Sequence, residues 1–124
     1  VTMRAKLIAP ASLLPETLAR EMSNDDRLLD VGLKQTSETV AAEPGLVSLP
    51  APQVLAYSLL VGLSGGAKRI YLAGFDGYGE RDPRRQLDQT LVNKILGLGF
   101  QGEVIALTPT RFDVAQSSVH GHLR

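Results

Sequence analysis

Short apolar runs alternate with longer amphipathic or apolar segments along most of the chain. The short runs have the length and composition of strands, and they cover residues 6–9, 27–33, 46–48, 70–73 and 103–107. The longer segments have helical spacing or helix-start residues, and they cover residues 15–22, 51–63 and 84–98. Residues 36–45 are polar and end in Glu-Pro-Gly, which predicts a loop or an irregular hairpin.

Two of the predicted helices carry the clearest patterns. Residues 51–63 are apolar nearly all round, as expected of a helix buried against a sheet, and Ser64-Gly-Gly66 ends it. Residues 84–98 place Leu87, Leu91, Ile95 and Leu98 at spacings of four, four and three, which predicts one apolar face opposite a charged one.

Strand–helix alternation with short connections predicts the fold class. We expect an α/β fold with a Rossmann-like parallel sheet of four to five strands and helices on both faces. Residues 70–73 are apolar throughout, which is typical of a strand covered on both faces. They are therefore predicted as the central strand, between the strands at 6–9 and 103–107.

The length of 124 residues suits one domain, and residues 112–124 form a polar tail without a clear period. The chain opens Val-Thr-Met and enters its first strand within a few residues, so we expect residues 1–124 to be an excised domain of a longer protein, with a complete short gene product as the alternative.

Charge and composition narrow the classes of partner and compartment. Thirteen basic residues balance thirteen acidic ones, which argues against nucleic acid and against an anionic membrane surface. There is no cysteine, and the longest apolar run, 54–63, is too short to span a bilayer. The first residues lack the basic-then-apolar order that is typical of a signal peptide. These features predict a cytoplasmic protein.

The loop after residues 70–73 carries most of the candidate chemistry. Ligands of open parallel sheets bind beyond the carboxyl ends of the strands, where this loop places two glycines, a carboxylate and a phenol. The end of the 103–107 strand adds two hydroxyls and a guanidinium. The candidate ligand-binding residues are Gly74, Asp76, Gly77, Tyr78, Thr108, Thr110 and Arg111.

Each of these residues also has a purely structural interpretation. Asp76 can bond backbone amides of its own loop, Tyr78 can be a half-buried rim residue, and the glycines can serve a tight turn. Arg81, Arg84 and Arg85 can clamp a phosphate, but a solvated charged turn paired with nearby carboxylates is the favoured interpretation.

The chain carries no pattern for cofactor, metal or nucleophile chemistry. The glycines at 74, 77 and 79 do not fit the Gly-x-Gly-x-x-Gly dinucleotide fingerprint, so we expect no cofactor. His120 and His122 are the only histidines, and two histidines without a third ligand predict no metal site. No catalytic residue can be assigned from the sequence.

The run from Pro52 through Gly-Phe-Asp-Gly-Tyr78, with Asp82-Pro-Arg84 and with Leu-Thr-Pro-Thr at 107–110, resembles a bacterial domain. It is the C-terminal domain of proteins whose N-terminal barrel is similar to 4-hydroxy-2-oxovalerate aldolase and HMG-CoA lyase. The resemblance extends from Lys6 to about Val119. It implies surface-polysaccharide biosynthesis and an aldolase-type barrel earlier in the parent chain, which would supply its own metal and base.

The helix–strand–Gly-x-Asp-x-Tyr unit is also similar to the nucleotide-binding half of small bacterial CMP-sialyltransferases. That likeness implies that Asp76 and Tyr78 face the ligand, with residues 49–52 on its other side. The chain departs from the pattern at Leu-Pro-Ala-Pro52, where the family has a hydroxyl-containing turn. It also has no histidine between Asp76 and Val104, where the family has a catalytic one.

We therefore expect an accessory domain that binds a nucleotide, a nucleotide-sugar or a sugar-phosphate for an aldolase-like enzyme of carbohydrate biosynthesis, and that is not itself catalytic. The first alternative is a CMP-sugar-dependent glycosyltransferase, which would need a general base. The second is a non-catalytic assembly module.

Overall fold

A computed structural model describes residues 5–99, 101–118 and 120 of the chain. The protein is a mixed α/β structure with three α-helices and several small sheets in the described ranges. It divides into two compact units, Val1–Pro52 and Gln53–Arg124.

The first unit begins with a strand–helix–strand segment. Strand β1 (Leu7–Ala9) leads through a 3-10 turn (Ala11–Leu13) into helix α1 (Glu16–Asn24), and β2 (Leu28–Asp30) then pairs parallel with β1. The Asp30 carboxylate accepts a hydrogen bond of 2.8 Å from the Ala11 amide, which fastens the turn to the end of β2. The predicted strand and helix at this end of the chain are confirmed.

A second sheet completes this unit. The predicted strand at 27–33 is divided, because after Val31 the chain enters β3 (Gly32–Gln35), which pairs parallel with β5 (Leu46–Leu49). Strand β4 (Ala41–Glu43) pairs antiparallel with β5, so the hairpin interpretation of residues 36–45 is correct. Val47 and Leu49 of β5 are fully buried.

The second unit holds a parallel sheet ordered β6–β7–β8, with strands β6 (Arg69–Leu72), β7 (Glu103–Ala106) and β8 (Ala115–Gln116). Helix α3 (Pro83–Leu96) connects β6 to β7, which is the crossover that a parallel pair requires. The short strand β8 lies within the segment interpreted from sequence as a polar tail.

Helix α2 (Val54–Ser64) is the most buried element of the second unit. It begins at Val54, three residues later than predicted. The Gln53 side chain caps this start by accepting a hydrogen bond of 2.6 Å from the Ala56 amide. The buried positions are Leu55, Ala56, Tyr57, Leu59 and Leu60. The apolar pattern is therefore confirmed at Leu55, Leu59 and Leu60, whereas Val54 is 71% exposed and Leu63 is half-buried. At its end, Gly66 donates to the Leu63 carbonyl and Ala67 to the Gly62 carbonyl, the two bonds of a Schellman motif.

Helix α3 buries Leu91, Val92 and Ile95, while Leu87 is 69% exposed. The predicted apolar face is therefore correct at two of its four positions. At about 100° per residue, the buried arc that runs from Leu91 through Ile95 to Val92 is centred roughly 90° away from Leu87, which therefore lies at the margin of the buried face. Leu98 lies beyond the end of the helix and is 45% exposed. Among the described helices, none combines the length and hydrophobicity that crossing a bilayer requires.

The prediction of one sheet with β6 at its centre is not met in the described residues. The strands pair as three sheets of two or three strands, and β6 is the edge strand of its own sheet, with β7 as its described partner. Tyr71 is 44% exposed, and Arg69 lies 3.3 Å from Glu103 in an exposed ion pair. Residues 70–73 are an uninterrupted apolar run, yet Tyr71 and Ala73 are exposed while Leu72 is buried. Such a run therefore does not establish that both faces of a strand are buried.

Candidate functional site

Two loops meet at the carboxyl ends of β6 and β7. Leu72 and Ala106 are register partners in the parallel pair, and the Leu107 amide donates to the Leu72 carbonyl at 2.8 Å. Residues 74–78 and 108–112 therefore leave the sheet at the same edge, and we call them together the carboxyl-edge site. They include all seven residues that the sequence analysis selects.

Hydrogen bonds from one loop to the other hold this site together. The Gly74 amide donates to the Thr108 hydroxyl at 2.9 Å, and the Thr110 hydroxyl donates to the Phe75 carbonyl at 2.5 Å. The Arg111 amide donates to the Asp76 carbonyl at 2.9 Å. Each of the first three residues of the 74–78 loop thus has a partner in the other loop.

The loops also touch closely at Gly77. Its φ is 84°, in the left-handed region that side chains disfavour. A Cβ there would lie 3.2 Å from the Arg111 Cβ and 3.5 Å from the Phe112 ring. Glycine is needed at this position both for backbone conformation and for the approach of the second loop.

Asp76 and Tyr78 have different surroundings. The Asp76 carboxylate is exposed and has no hydrogen-bond or ion-pair partner among the described residues. Tyr78 is half-buried, and the Arg84 guanidinium lies 4.3 Å from the centre of its ring, a cation–π contact. The Asp76 carboxylate is therefore open to solvent, whereas Arg84 covers one face of the Tyr78 ring.

Asp82 fixes the arginine that covers Tyr78. Its Oδ1 accepts from the Arg84 amide at 2.9 Å and caps α3, and its Oδ2 lies 2.7 Å from Nη2 of the same arginine. Hydrogen bonds from the Arg84 side chain and amide lower the pKa of the Asp82 carboxyl, and the carboxylate in turn raises the pKa of Arg84. For this arginine, the interpretation as part of a paired charged turn is correct.

A narrow depression opens beside Tyr78 between the two loops and α3. Its lining residues are Gly77, Tyr78, Arg85, Gln89, Arg111 and Phe112. Its volume is only about 10 Å³, which is roughly the room that one water molecule needs. It is too small to enclose a nucleotide, so any larger ligand would lie over its mouth.

Sequence reasoning missed Gln89 and Phe112 and favoured a structural role for Arg85. The Gln89 Oε1 accepts from the Asp113 amide at 2.9 Å, which ties α3 to the second loop, and Phe112 is buried. One signal was available, because Arg85 and Gln89 are four residues apart and share a face of α3. The contact with the second loop depends on tertiary structure.

The described residues contain no group of three or more histidine, aspartate or glutamate side chains arranged to hold a metal ion, and His122 lies outside them. Comparison with known proteins finds no matching family model, no matching curated protein and no matching solved structure.

Proposed function

We propose that the carboxyl-edge site binds a nucleotide, a nucleotide-sugar or a sugar-phosphate. The observation that carries the proposal is that two adjoining loops at one sheet edge carry three different ligand-binding groups: the Asp76 carboxylate, the Tyr78 phenol and the Arg111 guanidinium. Tyr78 and Arg111 also line the same depression. A carboxylate accepts from sugar hydroxyls, a phenol donates or stacks, and a guanidinium binds phosphate.

The proposal includes a Rossmann-like fold class. It is supported by the parallel β6–α3–β7 crossover in the second unit, since such sheets bind ligands outside their carboxyl ends. Thr108 and Thr110 belong to the proposed site as well. The Thr108 hydroxyl keeps its own hydrogen for a ligand after accepting from Gly74, whereas Thr110 acts mainly by holding the loop.

The role that we propose for the domain is an accessory one in a cytoplasmic, aldolase-like enzyme of carbohydrate or surface-polysaccharide biosynthesis. The resemblance of residues 52–78 and 107–110 supports this role and implies an N-terminal aldolase-type barrel in the parent chain. Turnover by the domain would need a positioned general base, and no histidine occurs before residue 120. Ligand binding without turnover is therefore expected.

The assembly module is favoured by a separate observation. The depression beside Tyr78 is far smaller than the several hundred Å³ of a typical small-molecule pocket. An edge of this shape would equally suit docking on another domain.

An NMR titration of the full chain against cytidine and uridine nucleotides, CMP- and UDP-sugars and sugar-phosphates tests the proposal. Dissociation constants on the order of 0.1 to 1 mM are expected, because an open half-site leaves much of a ligand in solvent. Amide shifts should be confined to residues 74–82 and 108–111 and should weaken in Asp76→Asn and Tyr78→Phe.

Two results would change the conclusion. No shifts at millimolar ligand would favour the assembly module. Measurable hydrolysis or transfer from a CMP-sugar would favour the glycosyltransferase.

A further inference from the structure

Two arginines border the depression beside Tyr78 from opposite chain segments. Arg85 lies in the first turn of α3 and is half-buried, while Arg111 lies in the loop after β7 and is exposed. Neither guanidinium has an ion pair or a hydrogen bond among the described residues. This separates them from Arg84, which is fully engaged with Asp82.

The backbone around both arginines is held in place. The Arg111 amide donates to the Asp76 carbonyl. The Cβ of Arg111 also lies close to Gly77, because a Cβ added at position 77 would be only 3.2 Å from it. One turn after Arg85, Gln89 accepts from the Asp113 amide and ties α3 to the second loop. The bases of the two side chains are thus fixed without help from a ligand.

The carboxylates nearby do not neutralise this pair. Asp82 is committed to Arg84, and the Asp76 and Asp113 carboxylates are not part of the depression's lining. Two like charges that face one concavity repel each other, and a dianion between them replaces repulsion with attraction. A guanidinium also presents parallel N–H groups that match phosphate oxygens.

We infer that Arg85 and Arg111 form a phosphate subsite at the mouth of this depression, with Tyr78 on its wall. The inference rests on the proposed function and makes it more specific, because it assigns the phosphate group of the ligand to this point and leaves the sugar or base outside. The narrowness of the depression supports this assignment, since it leaves no room for a sugar or a base, which would have to lie outside it.

The test uses inorganic phosphate alone, titrated into the full chain at constant ionic strength and followed through the amide signals of Gly77, Tyr78 and Phe112. Arg85→Gln and Arg111→Gln should each weaken phosphate binding about tenfold, as expected for loss of a charged hydrogen-bond partner. Arg81→Gln is the matched control. It removes the same charge four residues before Arg85, at a residue that does not line the depression. Arg85→Lys and Arg111→Lys keep the charge and should recover part of the affinity.

Phosphate should also bind more tightly at about pH 8 than at about pH 6, because it becomes a dianion over this range while the guanidiniums stay charged. Sulfate should show no such change. Equal weakening by Arg81→Gln, or equal binding of acetate, would overturn the subsite.

The subsite and the proposed function fail separately. If nucleotides and sugar-phosphates bind but the two glutamine variants bind them as the unmodified chain does, the subsite is wrong and the function stands. If inorganic phosphate binds through both arginines but no organic phosphate shifts residues 74–78, the subsite stands and the function is wrong. If nothing binds, both are wrong.

Discussion

The Thr110 hydroxyl donates a hydrogen bond of 2.5 Å to the Phe75 carbonyl, and so joins two loops that are 35 positions apart in the chain. The same oxygen accepts from the Phe112 amide at 3.2 Å. With Thr108 holding Gly74 in a similar way, the threonines of the Thr-Pro-Thr motif act as clamps between the loops. The residues of the carboxyl-edge site therefore divide into those that build it and those whose side chains can face a ligand, which are Asp76, Tyr78 and Arg111. Thr108 belongs to both groups, because its hydroxyl accepts from Gly74 and keeps its own hydrogen.

Thr110→Val should destabilise the fold, because valine has nearly the same shape but can neither donate to Phe75 nor accept from Phe112. We expect a loss of about 1 to 2 kcal/mol in the free energy of unfolding, measured by urea denaturation. Thr90→Val is the matched control, since the Thr90 hydroxyl bonds only the Gln86 carbonyl within its own helix. If both variants lose the same stability, Thr110 is not a clamp between the loops.

Strands β6 and β7 and helices α2 and α3 of the second unit were predictable because local patterns determine them. The apolar run at 70–73, the helix spacing around Leu91 and the run at 103–107 fix a strand–helix–strand order, and a strand pair connected by a helix is parallel. The meeting of the 74–78 and 108–112 loops follows from that arrangement alone. For this reason the sequence could predict that these two loops meet at one edge of the sheet.

What could not be predicted depends on contacts between distant segments. Nothing in the composition of residues 69–72 distinguishes an edge strand from a central one, and the 44% exposure of Tyr71 depends on which face of the sheet other segments cover. Strand β8 has two residues and no period of its own, and it exists because β7 offers a free edge. The bond between Gln89 and the Asp113 amide likewise joins residues whose proximity no local pattern encodes.

Alanine substitutions at three glycines of one loop should separate backbone strain from crowding. Gly74 and Gly77 both have positive φ, at 80° and 84°, but only Gly77 has neighbours within 4 Å of an added Cβ. Gly74→Ala should cost about 1 to 2 kcal/mol from its left-handed conformation, and Gly77→Ala should cost more. Gly79→Ala, with open space and no positive φ, should be neutral or slightly stabilising. Unfolding in urea gives the three values, and equal losses at 74 and 77 would show that the Arg111 contact is unimportant.

The packing of α2 on β6 depends on Gly62 and Ile70. A Cβ at position 62 would overlap Cδ1 of Ile70 and would lie 3.2 Å from its Cγ1. Gly62→Ala should therefore destabilise by about 1 kcal/mol, because over-packing of roughly 1 to 3 kcal/mol exceeds the better helix propensity of alanine.

Ile70→Val removes Cδ1 and supplies the test of this contact. In that background Gly62→Ala should be neutral or stabilising, since the helix propensity remains and the overlap is gone. A double-mutant cycle by urea denaturation measures the coupling. Additive effects of the two substitutions would mean that the absence of a side chain at position 62 is not needed to make room for Ile70.

Asp82 should make the stability of the protein depend on pH. Its pKa is lowered from the usual 3.8 by the Arg84 hydrogen bonds, so its stabilising contribution is fully present above that value and is lost as the pH falls through the lower pKa of the folded state. Asp82→Asn keeps an oxygen that can cap α3 but loses the charge, and Asp82→Ala loses both. At about pH 7 the thermal midpoint should therefore be highest for the unmodified chain, lower for Asp82→Asn and lowest for Asp82→Ala.

As the pH is lowered from about 7 to below 3.8, the unmodified chain and Asp82→Asn should draw closer together, because protonation removes the same charge that the substitution removes. Glu80→Gln, in the same loop, is the matched control. Introduced into the unmodified chain and into Asp82→Asn, it should leave the difference between their thermal midpoints unchanged. The arginine that Asp82 holds also covers the Tyr78 ring, so Asp82→Ala should broaden or shift the Tyr78 ring signals in NMR spectra at neutral pH. A midpoint difference between the unmodified chain and Asp82→Asn that is the same at both pH values would show that the charge of Asp82 contributes nothing, and that the residue acts only as a helix cap.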